Sequence, residues 1–248
     1  MVSLNSDMGE SFGLHSFGND DALLDLIDTA NIACGFHAGD PSGIRRTVVN
    51  AVASRITIGA HPGLPDLVGF GRREMKLTAD EVRDIVLYQV GALKGYLDAQ
   101  GVPLDHIKPH GALYGMLARD AELMGAVCDV AELYGVPLFG MANTVHESVA
   151  LERGLPFVAE FYVDLEYNAQ GGLIIARRPH ATLVERAVER TLLALTEGVA
   201  IADTGERIPM RFDSICVHSD TPGATEVAAA IRQVLDTHQF APRKVTHV

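Results

Sequence analysis

Residues 31–41 read Asn-Ile-Ala-Cys-Gly-Phe-His-Ala-Gly-Asp-Pro, and this stretch decides the fold. A short apolar run stops at Gly35, after which His37 and Asp40 follow. Pro41 is a favoured first residue of a helix. This order is typical of a strand that delivers polar side chains to one face before the next helix begins.

Similar strand ends recur at three later histidines: residues 56–62 at His61, residues 106–111 at His110 and residues 215–220 at His218. The carboxyl ends of parallel strands meet at one face, so we expect these imidazoles to converge with His37 on one site. One histidine at a strand end is weak support for function. Four histidines at equivalent strand ends favour a functional site.

Strand and helix patterns alternate about seven times along the chain, without a proline-rich linker or a fixed-period repeat. The strand candidates are residues 2–7, 31–35, 56–60, 106–108, 137–140, 157–163 and 215–217. This alternation predicts a parallel α/β sheet, closed or open. We favour a closed, TIM-like barrel of about seven parallel strands, because polar residues end almost every strand instead of clustering at one switch point. We expect a single domain over residues 1–248.

The composition excludes several classes of partner. Lys and Arg number 20 against 32 Asp and Glu, a formal net charge of −12, and no basic run is present, so nucleic acid is excluded as a partner. No run of about eighteen apolar residues occurs and no targeting segment is recognisable, so we expect no membrane association. Cys34, Cys128 and Cys216 are an odd number among apolar neighbours, typical of reduced core thiols in a cytoplasmic protein.

Acids, imidazoles, amides and one lysine collect at the strand ends: Asn5, Asp7, Glu10, His37, Asp40, His61, Lys108, His110, Glu160, Asp164, His218 and Asp220. Such groups can activate water, stabilise an oxyanion and protonate a leaving nitrogen, the requirements for hydrolysis of a stable bond. Asp40 could equally be only a helix N-cap. His106 starts its strand, which predicts a place at the stability face of the barrel. We expect the remaining histidines to be surface residues: His15, His146, His180, His238 and His247.

Three other chemistries draw on some of the same residues. Asp7, His37, His61 and His110 could supply a zinc-type shell, although no His-x-His or His-Glu-x-x-His pair fixes its geometry. Cys34 and Cys216 each lie near a strand-end histidine, but free cysteines are usually buried, so packing is favoured over a Cys-His nucleophile. A serine-hydrolase elbow at residues 9–13 is disfavoured, because the glycines that follow predict a loop where that motif needs a helix.

The chain closely resembles the LamB/YcsF lactam-utilisation family. The resemblance rests on Leu4-Asn-Ser-Asp-Met-Gly-Glu10, residues 31–40, Gly59-Ala-His-Pro62, Phe70-Gly-Arg72, Lys108-Pro-His-Gly-Ala-Leu-Tyr114 and Cys216-Val-His-Ser-Asp220. It implies a distorted (β/α) barrel and ATP-dependent opening of 5-oxo-L-proline to L-glutamate, with Mg²⁺ expected beside ATP and with two partner subunits, B and C.

The resemblance also implies roles for individual residues. Asp7, Glu10, His37 and His61 would lie at the reacting amide, and Lys108 and His110 would hold oxyanion or phosphate charge. Substrate-binding residues would be Asn5, Asp40, Glu160, Asp164, Tyr167, His218 and Asp220.

One departure from the family pattern concerns specificity. Leu165 stands where many members have Arg, and Ser219 replaces a usual Gly. Arg is the natural partner of a carboxylate, so its loss predicts a substrate without one, such as a simple lactam. The alternative is that position 165 never meets the ligand and Leu165 only packs.

Three classes of function therefore remain open: a metal-dependent amidohydrolase or deacetylase, a chain that binds the lactam without turnover, and an ATP-coupled lactamase subunit. The sequence leaves open where ATP binds, whether a metal is bound and whether the chain forms a homo-oligomer.

Overall fold

Six parallel strands form one curled sheet in the computed structural model, which describes residues 2–15, 18–175 and 180–238. They are β1 (Ser3–Met8), β2 (Thr29–Ala33), β3 (Thr57–His61), β4 (Leu138–Gly140), β5 (Phe157–Tyr162) and β10 (Ser214–His218). Their spatial order is β3-β2-β1-β10-β5-β4. Two short antiparallel pairs are separate from this sheet: β6 (Glu166–Tyr167) with β7 (Leu173–Ile174), and β8 (Val199–Ile201) with β9 (Arg207–Pro209).

Ile107 joins the two edges of the curled sheet. It forms parallel bridges to Ala60 of β3 and to Leu138 of β4. Its flanking backbone is paired as well, since Lys108 N donates to Ala60 O at 2.9 Å and Phe139 N donates to Ile107 O at 3.0 Å. The predicted α/β, TIM-like architecture is confirmed, with a single bridging residue in place of the fourth predicted strand.

Eight helices surround the described part of the barrel: α1 (Asp20–Leu23), α2 (Pro41–Ala53), α3 (Ala79–Gln100), α4 (Gly111–Leu117), α5 (Ala121–Tyr134), α6 (Val145–Glu152), α7 (Val184–Glu197) and α8 (Ala224–His238). Helices α2, α3 and α8 pack on the outer side of their neighbouring strands. Buried Leu4, Ile58 and Ile215 belong to the apolar core that these contacts enclose. Over the described residues, no helix has the length and apolar character needed to cross a membrane.

The surface prediction for the remaining histidines is right for some and wrong for one. His15, His180 and His238 are exposed, whereas His247 lies outside the described residues. His146 is buried, because its ring turns inward from α6, where Nδ1 accepts a hydrogen bond from Met141 N at 3.2 Å. All three cysteines are free and buried, as predicted.

Candidate functional site

A cavity of about 470 Å³ opens at the carboxyl ends of the strands. Its polar lining includes seven predicted site residues: Asp7, His61, Lys108, His110, Asp164, His218 and Asp220. Its apolar lining includes Leu165, Leu173, Ile174, Ile175 and Leu183. The strands that the sequence predicted therefore bring most of their terminal side chains to one space.

Asp7 is the centre of the polar cluster. Its Oδ1 lies 2.8 Å from Lys108 Nζ, and its Oδ2 lies 3.3 Å from His61 Nε2 and 3.5 Å from His218 Nε2. Burial alone would raise the pKa of Asp7, but the positive charges of His61 and Lys108 outweigh it and hold that pKa well below its usual value. Asp7 is therefore an ionised carboxylate in contact with a buried ammonium and two imidazoles.

Lys108 is fully buried and keeps its charge. Burial alone would lower its pKa, but Asp7, Cys216 and Glu160 outweigh that effect and raise it. Its Nζ lies 3.1 Å from Glu160 Oε1 and 3.1 Å from Cys216 Sγ. A buried ammonium between two carboxylates is a fixed positive charge that needs no counter-ion from solvent.

His218 is a second cation beside Asp7. Its Nδ1 lies 3.0 Å from Asp164 Oδ2, and its backbone N–H donates to the same oxygen at 2.8 Å. Burial would lower the pKa of His218, but Asp164 outweighs burial and raises it. The carboxylate of Asp164 thus fixes the ring and turns Nε2 toward Asp7.

His61 and His110 point their ring nitrogens at each other, while the opposite nitrogen of each ring faces a backbone carbonyl. His61 Nδ1 lies 2.7 Å from Lys108 O, and His110 Nε2 lies 2.8 Å from Phe70 O. Carbonyl oxygens only accept hydrogen bonds, so both of these nitrogens carry hydrogen. The remaining nitrogens, His61 Nε2 and His110 Nδ1, are 2.9 Å apart, and in two neutral rings both would present lone pairs. A proton or a metal ion must lie between them.

Glu10 and His37 complete a second group around this pair. Glu10 Oε1 lies 3.3 Å from His37 Nε2 and 3.6 Å from His110 Nδ1. Burial, together with Asp220 and Asp7, raises the pKa of Glu10 well above its usual value. Burial lowers the pKa of both His37 and His110. Burial therefore favours the uncharged forms of Glu10, His37 and His110.

The same four side chains could hold a metal ion, since their donor atoms lie within 4.8 Å of one another. A tetrahedral zinc ion with bonds of ~2.0–2.1 Å places its ligand atoms ~3.3 Å apart. The separations of 2.9, 3.3 and 3.6 Å in the cluster are close to that value. The residues thus fit a zinc-type ion, with Glu10 in the place where the sequence predicted Asp7.

The structure places four predicted substrate-binding residues outside the cavity lining. Asp40 caps α2, where its carboxylate accepts from Ser42 N and Gly43 N, so the N-cap alternative describes it. Tyr167 is buried and its hydroxyl accepts from Tyr162 N at 2.8 Å. Asn5 and Glu160 are buried beside Lys108, which they contact directly.

Sequence reasoning missed several residues of the site. Arg72 lines the cavity and bonds Asp220 at 2.8 Å, but it lies in a loop without periodicity, and its only signal was the Phe-Gly-Arg motif. Tyr162 also lines the cavity and donates to Glu160 at 2.8 Å, but within the predicted strand 157–163 nothing marked it as a site residue. Asn31, inside β2, donates to Asp7 Oδ1 at 2.8 Å.

Fold and cavity together define a TIM-like barrel protein with a buried acid–base cluster at the carboxyl ends of its strands. The chain belongs to the LamB/YcsF family, which matches residues 2–248. It is 45% identical over 238 residues to the A subunit of 5-oxoprolinase from Tolumonas auensis, covering 94% of this chain and 95% of that one. It is 47% identical over 242 residues to the lactam utilization protein lamB of Emericella nidulans, covering 94% and 93%.

Two solved structures share the fold. The lactam utilization protein of Thermus thermophilus is 41% identical, with a TM-score of 0.88 over 98% of both chains. A family 4 carbohydrate esterase of Streptomyces lividans, solved with acetate, has a TM-score of 0.51 at 13% identity, covering 99% of this chain and 93% of that one. The second likeness concerns the fold alone.

Proposed function

We propose that the chain opens the cyclic amide 5-oxo-L-proline to L-glutamate in an ATP-dependent reaction, as the A subunit of a 5-oxoprolinase that also contains subunits B and C. Relatives of about the same length bear the name of the 5-oxoprolinase A subunit at 45% identity, which supports the assignment. The observation that carries the chemistry is the ionised Asp7 held by Lys108, His61 and His218 in the cavity. Three buried free cysteines support a cytoplasmic location.

ATP is needed because a five-membered lactam is a stable amide. Phosphorylation of its carbonyl oxygen, with Mg²⁺ on the ATP phosphates, makes the carbonyl carbon open to attack by water. The C–N bond then breaks, the ring nitrogen takes a proton, and a second water releases phosphate from the γ-carboxyl group. This proposal assigns the ring-opening step to the cavity of this chain.

The charge of each residue determines its role in ring opening. Asp7 takes a proton from the attacking water, and Lys108 and His218 stabilise the negative charge that develops on oxygen. The His61–His110 pair, holding one proton between two nitrogens, gives it to the leaving nitrogen. Proton transfer from Asp7 Oδ2 to His61 Nε2, 3.3 Å away, restores the starting state.

The test is glutamate release from 5-oxoproline, measured with and without ATP and with and without subunits B and C. Release that needs both ATP and the partners supports the proposal. Binding of the lactam without turnover in the full mixture would instead make the chain a lactam carrier and overturn it.

A second candidate is a metal-dependent amidohydrolase, favoured by the four converging donors Glu10, His37, His61 and His110. A bound zinc-type ion would supply an activated water and polarise the carbonyl group. The backbone carbonyls of Lys108 and Phe70 would orient His61 and His110 as ligands. Stoichiometric metal in the purified chain, with lactam opening that needs neither ATP nor partners, would support this candidate over the first.

A further inference from the structure

His106 is a buried histidine outside the cavity lining, and both of its ring nitrogens have partners. Nε2 lies 2.6 Å from Asn31 Oδ1, and Nδ1 lies 2.9 Å from Asp105 Oδ2. The ring stacks on Phe139 with centroids 3.8 Å apart. His106 directly precedes the bridging residue Ile107 and does not start a strand as predicted. Its side chain reaches inward to β2, so it does not serve only the amino-terminal face.

A chain of fixed donors and acceptors determines which atoms point where. Asn5 Nδ2 donates to Ile215 O at 3.2 Å, so Asn5 Oδ1 must be the acceptor on the other side. That oxygen accepts from Asn31 Nδ2 at 2.8 Å and from Lys108 Nζ at 3.3 Å. Asn31 Nδ2 also donates to Asp7 Oδ1 at 2.8 Å.

The amide of Asn31 therefore has a single favourable orientation. Turned by 180°, its oxygen would face Asn5 Oδ1 and Asp7 Oδ1, three acceptors with no hydrogen between them. With Nδ2 toward Asp7, Oδ1 faces His106, so His106 Nε2 must carry a hydrogen. The hydrogen bond from His106 to Oδ1 is compatible with this orientation, and it holds the Asn31 amide where Nδ2 donates to Asp7.

The sheet leaves room for this contact at Gly59. Asn31 and Gly59 are register partners in β2 and β3. A Cβ atom at position 59 would lie 2.1 Å from His106 Nε2 and 2.2 Å from Cε1. Any other residue at position 59 would therefore push the ring away from Asn31.

We propose that His106 is a positioning residue for Asp7: its Nε2–H holds the Asn31 amide, which fixes Asp7 Oδ1 toward Lys108 and leaves Oδ2 for His61 and His218. The inference rests on the proposed role of Asp7 in ring opening. His106 itself meets neither the cavity nor the reacting atoms.

Three variants separate this role from simple packing. His106→Phe keeps an aromatic ring against Phe139 but removes the donor, whereas His106→Gln keeps an N–H donor at a similar distance. Gly59→Ala leaves His106 in the sequence and displaces its ring. His15, an exposed histidine, provides the matched controls His15→Phe and His15→Gln.

The readout is kcat and KM for lactam opening, with thermal melting as the check on folding. Loss of a residue that orients an active-site group typically costs ~10–100-fold in activity, so we expect that loss in kcat for His106→Phe and Gly59→Ala, with KM within about twofold of wild type. His106→Gln should recover most of the kcat that His106→Phe loses. A folded His106→Phe protein with wild-type kcat, or a loss that follows melting temperature equally in all variants, would overturn the proposal.

If the wild type opens no lactam, the proposed function is wrong, but this result does not test the positioning role of His106. A second measurement then tests the contact between His106 and Asn31 directly. In ¹⁵N-labelled protein, the Asn31 side-chain N–H protons should exchange slowly in the wild type and much faster in His106→Phe. Wild-type His106 should carry a hydrogen on Nε2, whatever the state of Nδ1. Unchanged exchange in the variant, or a His106 without hydrogen on Nε2, would contradict the positioning role. If Gly59→Ala fails to fold, the two His106 variants decide.

Discussion

His61 Nε2 lies 2.9 Å from His110 Nδ1, while the opposite nitrogen of each ring faces a backbone carbonyl. The two carbonyls fix both tautomers, so a proton or a metal ion must occupy the gap. The lactamase mechanism uses the proton, and the amidohydrolase candidate uses the metal. Whether a proton or a metal ion lies between these two nitrogens therefore distinguishes the two candidate functions.

Chelation distinguishes the two occupants. If the pair shares a proton, treatment with a zinc-selective chelator should leave ATP-dependent glutamate release unchanged, because Mg²⁺ for ATP is still supplied. The purified chain should contain well under one equivalent of transition metal. Activity that is lost on chelation and restored by zinc alone would instead establish the metal candidate.

The pairing of His218 with Asp164 predicts a pH dependence of stability. Asp164 raises the pKa of His218 above its ordinary value of 6.5, so the stabilisation is complete below that pH and is lost as pH rises through the higher, folded-state pKa. Urea unfolding of wild type and His218→Gln at pH 6 to 9 measures it. The difference in free energy of unfolding should be largest at pH 6 and shrink toward pH 9.

His15→Gln, an exposed counterpart, should show no such trend. A difference between wild type and His218→Gln that is constant or grows with pH would mean that His218 is not held as a cation in the folded chain.

Leu165 lines the cavity, so it is placed to affect which lactam is accepted. Leu165→Arg should raise kcat/KM for 5-oxoproline relative to 2-pyrrolidinone by about tenfold or more, because a hydrogen bond to a charged group contributes ~1.5–3 kcal/mol. Leu165→Met, which conserves volume, should leave the ratio near its wild-type value. An unchanged ratio in Leu165→Arg would show that Leu165 only packs against its neighbours.

Periodicity and strand-end chemistry were enough to predict the barrel and seven polar residues of the cavity lining. The apolar runs before His61 and His218 indicated strands, and the parallel order brought their ends together. The bridge at Ile107 was harder to predict, because a single bridging residue has no alternating pattern. It is recognised only from its partners Ala60 and Leu138 on the two edge strands.

The roles of other residues near the site were harder to predict, again for physical reasons. Asp40 satisfies backbone N–H groups at a helix start, a local role that its neighbour Pro41 already indicated. Asn31 was predicted only as the first residue of a strand, since nothing in one sequence shows that Asp7 and His106 flank it from two other segments. Arg72 is positioned by a loop whose path depends on contacts that the sequence does not display.

The most direct test of the account is the activity of Asp7→Asn, which keeps the shape of the side chain and removes its charge. In the ATP- and partner-dependent assay, glutamate release should fall by ~10²–10⁴-fold, the usual contribution of a general base. Asp98→Asn, which neutralises a carboxylate with 62% of its side chain exposed on α3, should behave as wild type. A folded Asp7→Asn protein that releases glutamate at the wild-type rate would contradict the central claim that Asp7 drives ring opening.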